Sequence, residues 1–100
     1  MLHIGVRRET ENGDVLANFD VDGIDARIIE NALPNSTCLR FIDPYGDTVM
    51  NQLQLPVLME ELVEVYNRVT ELDLRQHIAN LLGFLKASEA IHVYVRFTGD

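Results

Sequence analysis

Apolar positions along this chain change their period several times, and each change predicts an element. Leu2, Ile4 and Val6 alternate with His3, Gly5 and Arg7, the two-residue period of a strand. Val15, Ala17 and Phe19 alternate again after Glu11-Asn12-Gly13-Asp14, and Asn-Gly between two alternating runs signals a hairpin. Ile24, Ile28 and Ile29 then fall at helical spacing behind Asp20, Asp22 and Asp25, acids that suit a helix N-terminus, and Pro34 ends the run. Thr37 to Ile42 reads as a third strand. Asp43-Pro44-Tyr45-Gly46 has the residues of a type I turn, and Thr48 to Asn51 reads as a fourth strand pairing back on the third.

Two longer helices follow. Leu58, Leu62, Val65, Tyr66 and Val69 form one apolar stripe, with Pro56 where a first helical turn tolerates it. Leu74, Ile78, Leu81, Leu82 and Leu85 repeat the same spacing. Between them Thr70-Glu71-Leu72-Asp73 has the pattern of a capping box. Ile91, Val93, Val95 and Phe97 alternate as a last strand. The order β-β-(α)-β-β-α-α-β predicts an α+β domain over residues 1–100, a mostly antiparallel sheet of about five strands with the helices packed on one face. Neither a repeat nor a Gly/Ser/Pro linker divides it.

Composition narrows what such a domain can do. Apolar residues make up 47% of the chain, enough to build a core. Sixteen acidic residues against eight Lys and Arg give a net charge of −8, which argues against nucleic acid and for a basic partner. Cys38 is the only cysteine, so no intrachain disulfide can form. The start MLHIGVRRE meets Arg7 and Arg8 too early for the apolar region of a signal peptide, and no apolar run approaches the ~20 residues of a membrane span. A cytoplasmic domain without a membrane partner is the expectation.

Motifs that carry catalysis are absent: no glycine-rich phosphate loop, no serine at a nucleophile elbow, no histidine pair at helical spacing. No catalytic residue and no cofactor is therefore assigned. Asn18-Phe19-Asp20-Val21-Asp22-Gly23 resembles the first half of a calcium loop, but its twelfth position is Ile29 where a bidentate Glu belongs, so no metal site is expected. If the apolar side of every strand faces the core, the opposite side carries His3, Arg7, Arg40, His92, Tyr94 and Arg96, with Leu16, Asn18 and Cys38. Arg40, His92, Tyr94 and Arg96 on this face, and Tyr45 at a turn tip, are the expected partner-binding residues.

Two smaller features add to the picture. The stretch 9–25 holds six acids and no basic residue, a patch that could steer a basic partner. His77 and Phe84 share one flank of the second helix, where a partner could dock. The expected function is a non-enzymatic protein-interaction module: an adaptor, a regulator or an immunity-type neutralising protein. A small enzyme built on Cys38 and His92, or a structural homodimer, are the alternatives. The incomplete calcium loop yields a direct expectation: micromolar calcium or zinc leaves the melting temperature unchanged, and a metal-dependent rise of several degrees would contradict it.

Overall fold

The computed structural model describes residues 4–19, 23–32, 34–43, 45–90 and 92–99. Several expectations fall on residues outside this set: the strand start at Leu2 and His3, the acids Asp20 and Asp22, Pro44 of the turn, and Ile91.

The elements in chain order are β1 (Ile4–Thr10), β2 (Val15–Asn18), α1 (Ala26–Glu30), a 3-10 turn (Leu39–Phe41), β3 (Asp47–Met50), α2 (Leu55–Arg68), α3 (Leu72–Lys86) and β4 (Val93–Gly99). The four strands make one sheet in the order β2-β1-β4-β3, antiparallel throughout. The α+β class and the antiparallel sheet are as the sequence predicts. Among the described residues the sheet has four strands, not about five, because Thr37 to Ile42 is no strand.

That segment instead turns through the 3-10 helix Leu39–Phe41, which buries Leu39 and Ile42. The cause is distant in sequence. The Glu61 carboxylate on α2 accepts the backbone N–H groups of Thr37, Cys38 (3.0 Å) and Leu39 (2.8 Å), amides that a strand would have spent on a neighbour. With no third strand to pair with, β3 pairs with β4 instead, Val49 opposite Arg96 and Met50 opposite Val95.

The hairpin β1–β2 forms at Asn12-Gly13 as expected. Gly13 donates to the Thr10 carbonyl and Thr10 to the Asp14 carbonyl, and Gly13 takes φ +88°, a left-handed value that glycine adopts without a Cβ penalty. A bulge follows. Arg8 faces Ala17 but Glu9 faces Val15, so Leu16 is the extra residue. It puts Val15 on the same side as Glu9, away from the helices, and Val15 is exposed where the alternation alone predicts core. Gly23, the sixth residue of the apparent calcium loop, has a packing role: a Cβ there would stand 2.2 Å from the Ile4 carbonyl oxygen. That close approach lets Ile24 bridge to Ile4.

Ile4 and Val6 of β1 and Val95 and Phe97 of β4 point to one side of the sheet, where α2 and α3 cover them. Both helical stripes are buried as their spacing predicts, with Leu58, Leu62, Val65, Ile78, Leu81 and Leu85 essentially inaccessible. Helix α1 begins as expected, Asp25 accepting the Arg27 N–H at 2.9 Å. The capping box at Thr70 does not form: no side chain caps α3, and Asp73 pairs with Arg27 of α1 at 2.9 Å. Ahead of α2, Asn51 and Gln54 each accept the other's backbone amide. Deleting side-chain volume from the two stripes is the direct check on this packing. Leu62→Ala or Leu81→Ala costs about 2–5 kcal/mol in denaturant unfolding, and a loss below ~1 kcal/mol would mean the stripes are not packed.

Candidate functional site

The side of the sheet away from the helices carries Arg7 and Glu9 from β1, Asn18 from β2, Tyr94 and Arg96 from β4 and Asp47 and Val49 from β3. Arg7 stands opposite Arg96, Glu9 opposite Tyr94 and Val49 opposite Arg96. The alternation that puts Arg7 on this side also puts Glu9 there, two residues on. The expectation of a locally basic face leaves it out.

Glu9 dominates the electrostatics. Although no helix covers it, its side chain is only 3% exposed. Arg96 Nε donates to both Glu9 oxygens at 3.1 and 3.0 Å, and the Arg7 guanidinium reaches the same carboxylate. Arg96 also binds Asp47 at 2.9 Å. Both arginines therefore serve the protein's own acids, and among the described residues of the face these two arginines are balanced by Glu9 and Asp47.

Of the residues expected to bind a partner, Tyr94, Arg96 and His92 come together and Arg40 and Tyr45 do not. His92 closes the edge of this region at φ +64°, a left-handed conformation uncommon outside glycine, with Nδ1 2.8 Å from Glu11 Oε2. Tyr94 lies between two hollows. One, of about 210 Å³, is lined by Asn51, Gln52, Leu53, His92, Val93 and Tyr94. The other, of about 190 Å³, is lined by Glu9, Thr10, Glu11, Gly13, Val49, Tyr94 and Arg96. Leu53 and Val49 are exposed apolar residues on these walls. Arg40 is the middle residue of the 3-10 turn, its guanidinium 4.6 Å from the Phe41 ring centre, off the sheet altogether. Tyr45 is 72% exposed at the tip before β3 and lines neither hollow.

Cys38 is buried under α2 and not on the sheet face; burial pushes its thiol pKa up, and the Glu61 carboxylate adds to the rise. That is the reverse of what activates a thiol nucleophile. The flank of His77 and Phe84 is also occupied by the chain itself. The Phe19 ring meets His77 edge-on at 5.5 Å and Phe84 at 5.6 Å, and His77 Nε2 accepts the Asp25 N–H at 3.2 Å. Arg8, on the helix side of β1, closes the same region. It donates to Ser88 Oγ at 2.8 Å and to the Phe84 carbonyl at 3.2 Å, near the C-terminus of α3. Part of the acidic stretch is likewise spent internally: Glu9 and Asp25 are paired with arginines and Glu11 Oε2 lies 2.8 Å from His92 Nδ1, while Asp14 stays exposed. Among the described residues, no cluster of three or more His, Cys, Asp or Glu is arranged to hold a metal ion, and no helix is long and apolar enough to cross a membrane.

No family model, no curated protein and no solved structure matches this chain.

Among the described residues three carboxylates are held low and set the acid response: Asp25, Glu61 and Asp73, the last by the Arg27 guanidinium it shares with Asp25. The Arg27 guanidinium beside Asp25 holds that carboxyl below its ordinary 3.8. At Glu61 partial burial works upward, but the amides of Leu39, Thr37 and Cys38 outweigh it and hold the group below its ordinary 4.5. A depressed folded pKa contributes stability that is complete above the unfolded value and is lost as the pH falls through the folded one. Stability is therefore flat from pH 7 to about 5 as far as these groups are concerned, and falls from about 4.5 downward. Glu61→Gln lowers stability at pH 7 by about 1–2 kcal/mol and flattens the acid limb of a chemical-denaturation profile. An unchanged acid limb would remove Glu61 from this role.

Proposed function

We propose that this domain binds another protein through the open face of its sheet, with Tyr94 as the contact residue. The observation that carries the reading is the position of Tyr94 between two hollows, on a face that its own helices leave uncovered. A tyrosine offers rigid area and a hydroxyl at small cost in conformational entropy, and Val49 and Leu53 add apolar surface on either side. The net charge of −8 favours a basic partner and fast encounter with it. Arg96 and Arg7 support this reading as the frame that fixes the face, since the Nε of each already donates to Glu9.

This division of roles separates binding from folding. Tyr94→Ala changes stability by about 1 kcal/mol or less, and weakens binding of partners recovered with the wild-type domain by at least roughly tenfold. Arg96→Ala destabilises by about 1–3 kcal/mol, because it strips two bonds from a buried carboxylate. Affinity and unfolding measurements on both variants provide the test. A folded Tyr94→Ala domain that binds every such partner as tightly as the wild type would end the proposal.

A further inference from the structure

The turn between β1 and β2 carries a chemistry that partner binding does not need. Of the seven asparagines only Asn12 precedes a glycine, and both residues of the pair are exposed. We propose that Asn12 is a site of spontaneous deamidation, and that its rate is set by opening of this turn.

The chemistry needs only water. The Gly13 nitrogen, on losing its proton, attacks Cγ of Asn12; the new N–C bond closes a five-membered succinimide, and the side-chain nitrogen leaves as ammonia. Water then adds to either ring carbonyl. One opening gives Asp at position 12, the other an isoaspartyl residue whose main chain runs through the former side-chain carbon. Amide and water become carboxylate and ammonium, with no change of oxidation state. Gly13 suits the attack because it has no Cβ to crowd its nitrogen, and the space around it is open.

The folded turn restrains that nitrogen. Gly13 N–H donates to the Thr10 carbonyl at 3.0 Å. The N–H groups of Asn12 and Asp14 converge on Thr10 Oγ1 at 3.3 and 3.1 Å. In this hairpin loop the Asn12–Gly13 peptide is held by its hydrogen bonds and must rotate out of the turn before ring closure. Opening is a local event, because three of the four residues of β2 are exposed and none is buried. Glu11 and Gly13, the two chain neighbours of Asn12, line the second hollow, so the product adds a negative charge next to that lining.

The test incubates the full chain at mildly alkaline pH and 37 °C, native and in urea, and follows intact mass, isoaspartate content and the modified position. The expected result is conversion at Asn12 ahead of Asn35, which precedes Ser36, with a rate that rises with pH. Native conversion should be roughly tenfold slower than unfolded, the ratio reporting the opening equilibrium. Thr10→Ala, which removes the hydroxyl acceptor, should speed the native reaction and leave the urea reaction alone. Asn12→Gln should suppress the mass gain at this position. Conversion of Asn35 in the native protein while Asn12 stays intact would overturn the site. Equal native and urea rates, or a native rate unmoved by Thr10→Ala, would overturn the gating.

Discussion

The pairing of β1 with β4 is the constraint on which the rest depends. Seven register pairs, from Ile4 opposite Gly99 to Thr10 opposite Val93, join segments from the two ends of the described chain at the centre of the sheet. The lateral strands attach to this pair, β2 to β1 and β3 to β4. The buried sides of the same two strands supply Ile4, Val6, Val95 and Phe97, the floor on which both long helices rest. Their other sides supply Arg7, Glu9, Tyr94 and Arg96. One register thus sets the core and the candidate site together, and a slip of one residue would exchange them.

On the open side, a carboxylate that is nearly inaccessible without a helix above it has to be covered by its neighbours' side chains. Glu9 is tolerable there because two guanidiniums share it, and Arg96 is in turn fixed by Asp47. The network ties β1, β4 and β3 across the face. It also pairs the charges that would otherwise have been the face's most conspicuous feature, and leaves the Tyr94 side chain between the hollows as the group with no structural duty of comparable weight.

What is legible in the sequence is what short-range spacing encodes. The stripes of α2 and α3, the Asn12-Gly13 hairpin and the alternation of Val93, Val95 and Phe97 all reappear. Partners distant in sequence are not legible. Cys38 to Ile42 alternates like a strand, yet Glu61, more than twenty residues later, captures its amides and the segment coils. The residues of a turn at Asp43 to Gly46 describe a local reversal and say nothing of which strand β3 will join. For the same reason alternation assigns Arg40 and Cys38 to a face they never reach, while Glu9, which it does place there, escapes a reading that looks for basic and aromatic residues. His77 and Phe84 look free because Phe19, the side chain that covers them, comes from the far end of the sequence.

The register at the centre of the sheet has a mechanical consequence. Because β1 and β4 are antiparallel and Ile4 sits opposite Gly99, a tether pulling those two residues apart loads their ladder at one end. The hydrogen bonds then break in succession, as a zip opens, and never share the load as they would if the strands were sheared along their length. Tension applied at those points would peel the central pair first, exposing the helix-covered side of the sheet before β2 or β3 had left its neighbour. Under force, the most deeply buried region of the fold is also the first to give.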